Sequence, residues 1–361
     1  MRQRTHAYLE FFAGSGLVAE AMRGSFTPVW ANDICPKKAA VYRSNHGGKH
    51  LHVGTIVDVR GADLQNAHMS WASFPCQDLS LAGMMAGLKG DRSGLVWEWL
   101  RVMREMGPRV PPVLVLENVV GLVSSQGGTH YRNIHRELTA MGYKVGAMML
   151  DAVHWVPQSR PRVFVVAVPQ ALELGGLADS GPNWAHSKAI VKAATGLEHW
   201  VWWSLPTPEP RRTSLEDLIE WSAPCNDEAA TRRALALIPP QHQSRLLQEL
   251  ANGFKVAPGY RRTRGEQVLE LRFDGNAGCL RTPEGGSSRQ QLVLKKDGHL
   301  ATRLLTIREA ARLMGAPESY EIPGTYNDAY RALGDAVALP VARFLARNLL
   351  GPLATRAITH A

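Results

Sequence analysis

Residues 8–19 read Tyr8-Leu9-Glu10-Phe11-Phe12-Ala13-Gly14-Ser15-Gly16-Leu17-Val18-Ala19. A short apolar run, 8–12, breaks at two glycines and resumes as a second apolar segment, 17–23. That is the pattern of a strand, a tight turn and a helix. The spacing Gly14-x-Gly16-x-x-Ala19 suits a turn in which a ligand approaches backbone N–H groups at a helix start. Such a turn serves a dinucleotide site, an S-adenosylmethionine site or plain tight packing, and alone it does not choose among them.

The alternation continues to about residue 170. Strands are predicted at 8–12, 28–31, 70–73, 113–117, 144–150 and 162–168, and helices at 17–23, 37–44, 95–106 and 131–141. This order predicts an α/β fold with a doubly wound, mostly parallel sheet. Residues 175–300 differ: they are richer in Gly, Pro, Ser and Trp, with proline corners at 205–210 and 238–240 and an arginine-rich turn at 260–264. They predict a second, smaller, irregular domain. Its run His199-Trp200-Val201-Trp202-Trp203 reads as core packing rather than a platform for stacking bases. Helical periodicity returns at 306–314 and 337–350, where Thr306 and Glu309 fit a capping box.

Composition bounds the class. The 361 residues are 45% apolar and 20% charged, which excludes a mainly disordered chain, a collagen and a coiled coil. There is no run of eighteen apolar residues, so no membrane-spanning helix is expected. Glu10 interrupts the apolar stretch after Arg2 and Arg4, a poor secretory signal, and a cytoplasmic protein is expected. The four cysteines, Cys35, Cys76, Cys225 and Cys279, form no CxxC pair and lie at no zinc-finger spacing from histidine. Neither a disulfide framework nor a metal is expected, and one thiol is free for chemistry. Lys and Arg number 41 against 32 Asp and Glu, a net charge of +9, and residues 255–308 hold eleven basic and five acidic side chains. A basic surplus suits a polyanionic partner; simple solubility is the alternative.

In an open α/β sheet, ligands bind beyond the carboxyl ends of the strands. After the second predicted strand comes Asn32-Asp33, a carboxylate placed to accept both hydroxyls of a ribose, or else an acidic loop or helix cap. Trp71-Ala72-Ser73-Phe74 runs into Pro75-Cys76-Gln77 and sets a cysteine at a strand end. Lone cysteines are usually buried and inert. Here a proline fixes the local backbone, and Gly83, Gly87 and Gly90 mark the following loop as a mobile lid. Val113-Leu114-Val115-Leu116 ends in Glu117-Asn118-Val119, where desolvation favours a protonated acid; a structural ion pair is the plainer reading. In Gln158-Ser159-Arg160-Pro161-Arg162, alternation at a strand entrance predicts that the two arginines project to one side. There they would hold an anion or a carbonyl oxygen and lower a nearby thiol's pKa, or simply lie on the surface.

Phe11-Phe12-Ala13-Gly14-Ser15-Gly16, Pro75-Cys76-Gln77, Glu117-Asn118-Val119 and Gln158 to Arg162, in this order, resemble the ordered signature of the DNA cytosine-5 methyltransferases. Residues 303–317 resemble that family's late block, and Leu333-Gly334-Asp335-Ala336-Val337 its last. The resemblance spans nearly the whole chain. It implies a Rossmann-like S-adenosylmethionine-dependent methyltransferase fold, with 1–172 and 325–361 forming the catalytic and cofactor-binding domain and 173–324 the target-recognition domain. The chain departs from the family pattern at Leu17, where a second glycine is usual, and at Asp33, where Glu is usual. It also departs at Thr55, which stands for an Asp that contacts the adenine amino group, and at Asp335, which stands for Asn.

The resemblance implies S-adenosylmethionine held by Phe12, Ala13, Gly14, Ser15, Gly16, Asp33, Ile34, Thr55, Ile56 and Pro75. It implies Cys76 as the nucleophile that adds to cytosine C6 and so makes C5 reactive. Glu117 then serves cytosine N3 and the exocyclic amine, Arg162 the carbonyl oxygen, and Arg160 the thiolate or its loop. The target base must leave the duplex stack. DNA contacts are expected from Gln77, Ser80, Arg281, Ser287, Ser288 and Arg289. A monomer is implied, cytoplasmic and either nucleoid-associated in a bacterium or phage-encoded, with a cognate restriction endonuclease as a possible companion. Three alternatives stay open. A tRNA cytosine-5 methyltransferase of the same family typically carries Cys-Phe-Thr, which this chain lacks. A nicotinamide-dependent dehydrogenase has no use for Pro-Cys-Gln and Glu-Asn-Val at strand ends. A non-catalytic DNA-binding module would not need Cys76, Glu117 and both arginines.

Overall fold

A computed structural model describes residues 5–75, 94–281 and 289–359. The chain divides into two compact units, one of residues 1–151, 161–207 and 341–361, the other of 152–160 and 208–340. These limits differ from the expected ones at 172 and 325: residues 173–207 cluster with the first unit, and 325–340 with the second.

The first unit is built on seven strands: β1 (His6–Phe11), β2 (Phe26–Asp33), β3 (Leu51–Val53), β4 (Met69–Ala72), β5 (Val113–Val119), β6 (Tyr143–Asp151) and β7 (Pro161–Pro169). Their order is β3-β2-β1-β4-β5-β7-β6. The first five strands pair in parallel, and β7 runs antiparallel between β5 and β6. Val113 to Leu116 are buried on both faces of β5, as expected of a central strand covered on two sides. Helices α1 (Leu17–Met22), α2 (Pro36–His46), α3 (Leu95–Glu105), α4 (Gly121–Ser124), α5 (Thr129–Ala140) and α6 (Lys188–Ala194) belong to this unit. One core packs Leu9, Phe11, Leu114, Leu116, Val163 and Val165 of the sheet with Trp99 of α3 and Tyr131 of α5.

Two expectations from the sequence meet this unit. The short strand β3 was not predicted; only Leu51 of its three residues is buried, which leaves too little apolar pattern to read. The tryptophan run is core packing, as expected: Trp203 is buried, and Trp200 and Trp202 pack on the main core. Strands β8 (Ala178–Asp179) and β9 (Trp202–Trp203) pair beside it. The backbone passes so close that a Cβ at Gly146 would lie 2.1 Å from the Val201 carbonyl oxygen.

The second unit is more regular than its composition suggests. Strands β10 (Val256–Arg264), β11 (Glu266–Leu271), β12 (Gln290–Lys296) and β13 (His299–Leu304) form an antiparallel sheet in the order β11-β10-β12-β13. Helices α7 (Glu228–Ala236), α8 (Pro240–Ala251), α9 (Ile307–Leu313) and α10 (Tyr326–Gly334) also belong to it. Ile238 and Leu246 pack with Ala257, Leu269, Leu271 and Val293 of the sheet. The predicted capping box forms at α9: Thr306 accepts from the Glu309 N–H, and Glu309 from the Thr306 N–H. Arg303 and Glu309 make a buried two-pronged pair with N···O distances of 2.7 and 2.5 Å.

Candidate active site

Topology collects the site on one edge of the first unit's sheet. Strands β1, β2, β4 and β5 are parallel, so their carboxyl ends lie on one edge. Strand β7 is antiparallel to β5, so its amino end, at Arg162, joins them. The chain runs outward from β1 to β2 in one direction and from β4 to β5 in the other, and the switch between them is where such sheets bind ligands.

The turn after β1 is held in an unusual conformation. Phe12 has φ +58°, and Gly14 and Gly16 have +59° and +82°. A bulky residue in the left-handed region costs roughly 1–2 kcal/mol, so the surroundings must hold Phe12 there. They do: the Ala13 N–H donates to the Asn32 carbonyl oxygen (2.8 Å), and the Gly14 N–H to Asp33 Oδ2 (2.8 Å). Asp33 Oδ1 accepts from the Cys35 N–H at 2.8 Å. Asp33 therefore ties β2 to the glycine turn, and ribose hydroxyls would have to use its remaining lone pairs. At Gly14 a Cβ would find its nearest neighbour 3.9 Å away, so the turn leaves an open cradle. Beside it, Ile34 is 69% and Val57 52% exposed. An apolar rim, a carboxylate and an open glycine turn suit an adenosine-bearing cofactor such as S-adenosylmethionine. Thr55 accepts from the Val57 N–H at 3.3 Å, capping the single turn that contains Ile56. Ala13 and Ser15 are buried, and Pro75 is exposed.

At the β5 end, Glu117 and Arg162 meet diagonally across the β5–β7 pair, with Arg162 Nε 3.2 Å from Glu117 Oε1. Both side chains are largely buried, at 8% and 14% exposure. Next to them Asn118 Nδ2 donates to the Phe74 carbonyl oxygen at 2.8 Å, fixing the chain end that leads into Pro75. Cys76, Gln77, Ser80, Ser287 and Ser288 lie outside the described residues.

The expectation that Arg160 and Arg162 share a side does not hold. Arg160 precedes the first residue of β7, so strand alternation does not govern it. It is 1% exposed and donates within the second unit to the carbonyl oxygens of Leu280 (3.1 Å), Gly334 (2.7 Å) and Ala336 (2.6 Å). In that unit Arg281 is exposed, and Arg289 donates to Asn327 Oδ1 at 3.5 Å.

Three residues around the site were not singled out from the sequence. Asn118 is one. His46 is another: its Nε2 is 2.9 Å from the Gly16 carbonyl oxygen and must donate, since that oxygen only accepts. Burial, then the charge of Arg23, pushes His46 down to about 4. The third is Glu10, whose carboxyl is pushed up to about 8, chiefly by burial. A charged residue interrupting an apolar strand was the available signal.

A seven-stranded sheet in this order, with a glycine turn and a carboxylate at the ends of β1 and β2, is a Rossmann-like methyltransferase architecture. Known proteins narrow it. The C-5 cytosine-specific DNA methylase family profile matches residues 7–351. Type II methyltransferase M.Bsp6I of Bacillus sp. (strain RFL6) is 27% identical over 345 residues, covering 94% of this chain and 96% of its own. Type II methyltransferase M.HhaI of Haemophilus parahaemolyticus is 24% identical over 347 residues, covering 95% and 93%. The solved S. pombe Dnmt2 methyltransferase shares the fold, with a TM-score of 0.60 at 20% identity over 94% of this chain and 97% of that one. The chain belongs to the C-5 cytosine-specific DNA methylase family. Its substrate is DNA, and S-adenosylmethionine is the family's methyl donor. No helix among the described residues is long and apolar enough to cross a membrane.

Proposed function

We propose that the chain methylates cytosine C5 within a specific duplex sequence, using Cys76, Glu117 and Arg162 at one edge of the sheet. The observation that carries this reading is the Glu117–Arg162 pair at 3.2 Å, beside the Asn118 contact that fixes Phe74 two residues before Cys76. Phe12 to Gly16, Asp33, Ile34, Thr55, Ile56 and Pro75 are the residues that would hold S-adenosylmethionine, which supplies an electrophilic methyl group. The chain's own work lies on the base. The Cys76 thiolate adds to C6 of the extruded cytosine, and the electron pair of the C5–C6 bond becomes available at C5. Glu117 hydrogen-bonds N3 and the exocyclic amine, where charge develops, and Arg162 holds the carboxylate and the ring carbonyl oxygen. After C5 is methylated, its proton leaves to solvent, the C5–C6 double bond re-forms and the thiolate departs. Arg160 braces the second unit's backbone rather than touching the base. Arg281 and Arg289, with Gln77, Ser80, Ser287 and Ser288, contact the DNA. We place the enzyme in the cytoplasm, at a bacterial nucleoid or encoded by a phage, as a monomer beside a cognate restriction endonuclease.

The test is a duplex carrying 5-fluorocytosine. It should trap a denaturation-resistant adduct in the wild type and none in Cys76→Ser, because fluorine cannot leave as a proton does. Cys76→Ser should still bind its DNA. Methylation of tRNA in preference to duplex DNA, or near-normal turnover by Cys76→Ser, refutes the proposal.

A further inference from the structure

The arginine-rich stretch 260–264 has no part in the chemistry above. Within the second unit, β12 pairs with β10 only from Val256 to Tyr260, whereas β11 follows β10 out to Arg264. Past Tyr260, among the described residues, the hairpin is thus a two-stranded ribbon turning at Gly265 (φ +79°). The ribbon's residues 261–269 hold three arginines and one glutamate. A ribbon of two strands is a shape that the major groove of DNA admits.

The two arginines nearest its base differ in how they are held. Gln291, with its amide oxygen turned to the guanidinium, accepts from Nε and Nη2 of Arg261, both at 3.2 Å. That consumes one two-pronged edge of Arg261 within the sheet. Arg262 is braced differently: its Cζ lies 5.2 Å from the Tyr260 ring centroid, and its Nε is 3.7 Å from Glu270 Oε2. The ring lies against the guanidinium, and the carboxylate forms a looser ion pair on the Nε side. Neither contact uses the Nη1/Nη2 edge, and the side chain keeps 31% of its surface exposed. A guanidinium placed in this way is partly ordered before it binds, while its terminal donors keep the fork geometry that matches O6 and N7 of guanine. Arg281, whose Cζ lies 5.6 Å from the same ring, is more exposed and suits a phosphate.

We infer that the 261–269 ribbon enters the major groove of the target and that Arg262 reads a guanine there, so that the methylated site contains a second G·C pair at a fixed offset from the target cytosine. The inference rests on the proposed DNA methylation. It names a specificity-determining residue; the recognised DNA is otherwise unassigned.

The experiment is methylation of a duplex library with randomised flanks, read by bisulfite sequencing, for the wild type, Arg262→Ala, Arg262→Lys, Glu270→Gln and Arg281→Ala. The wild-type motif should show a fixed G·C pair besides that of the target cytosine. Arg262→Ala should lower discrimination at that one position by roughly ten- to a hundredfold and leave the others intact. Arg262→Lys keeps the charge without the fork, so it should also relax that position. Glu270→Gln should relax it partially. Arg281→Ala should weaken all sites alike and reduce the salt dependence. Calorimetric binding of S-adenosylmethionine, unchanged in every variant, reports that the first unit is folded. A motif with no fixed G·C pair besides the target's own overturns the inference, as does Arg262→Ala lowering every site equally with the motif unchanged. A wild type that forms no 5-methylcytosine on any DNA refutes instead the proposed function on which it rests.

Discussion

Glu10 sits in the central strand β1, 1% exposed, two residues before the strained Phe12. Its Oε2 accepts from the hydroxyls of Tyr8 (2.8 Å) and Tyr42 (3.5 Å), and Oε1 has no hydrogen-bond partner among the described residues. Burial pushes its pKa from 4.5 up to about 8; the charge of Asp33 adds to this and the two tyrosine hydrogen bonds oppose it. The folded state therefore binds a proton that the unfolded state releases. Its contribution is fully present below about 4.5 and is lost as pH rises to about 8. At about 1.4 kcal/mol per pH unit, the loss over the whole window is on the order of 5 kcal/mol. His46 and His186, both pushed down to about 4 from 6.5, act in the opposite sense, and their stabilisation is lost as pH falls from 6.5 towards 4. At pH 6.5 they are neutral in the folded state and still half protonated in the unfolded one, but they titrate alike in the wild type and in a Glu10 variant, so the difference between the two isolates the carboxyl. Glu10→Gln keeps the shape and an acceptor for the tyrosines but cannot ionise. Urea unfolding at pH 6.5, 7.2, 8 and 9 should show the wild type losing on the order of 2 kcal/mol more than the variant between 6.5 and 8, with parallel curves above that. The slope decides, because the amide also buries a donor that shifts the offset. Parallel curves from 6.5 to 8 would refute the reasoning.

Gly16→Ala should weaken S-adenosylmethionine binding in calorimetry and lower thermal stability. It forces an L-residue to φ +82° and puts a Cβ 2.7 Å from His46 Cδ2. Gly24→Ala, at φ +87° with open space around it, carries only the backbone cost, and the difference between the two isolates the crowding. Asn118→Ala leaves the buried Phe74 carbonyl oxygen without this donor, a loss of about 1–3 kcal/mol. That loss should appear in urea unfolding, and the positioning role should appear separately as a roughly ten- to hundredfold fall in kcat with little change in cofactor affinity; an unchanged kcat counts against that role. Arg303→Met strands the buried Glu309 carboxylate and should cost about 3–5 kcal/mol in urea unfolding followed by a probe in the second unit. An unaltered midpoint there would mean that the pair contributes nothing.

How far the sequence reveals this molecule depends on where each constraint is written. The parallel sheet was legible because its strands are largely apolar runs separated by polar, glycine- or proline-bearing stretches, so Phe12, Asp33 and Glu117 fall within two residues of strand ends in the sequence and in space. Strand β3 and the second unit's sheet were not, because β3 has three residues and β10 to β13 mix charged and polar residues with apolar ones. The capping box at Thr306 was readable from a spacing of three.

Distance in the chain separates what remained. The pairing of Glu117 with Arg162 joins residues that the sequence had already marked, since each lies within two residues of its strand's end and the strands are neighbours. Arg160, two residues away, reads identically in sequence, yet its guanidinium is held by carbonyl oxygens at 280, 334 and 336. Those acceptors are backbone atoms, which every residue carries, so no side-chain pattern announces them. The same holds for His46 on the Gly16 carbonyl and Asn118 on that of Phe74. Side chains that brace the backbone a few residues away, as in the Thr306 capping box, leave a trace in the spacing of the sequence; side chains that brace backbone far along the chain leave none. The parts of this site that set its geometry are of the second kind, which is why its chemistry could be read from the sequence before its supports.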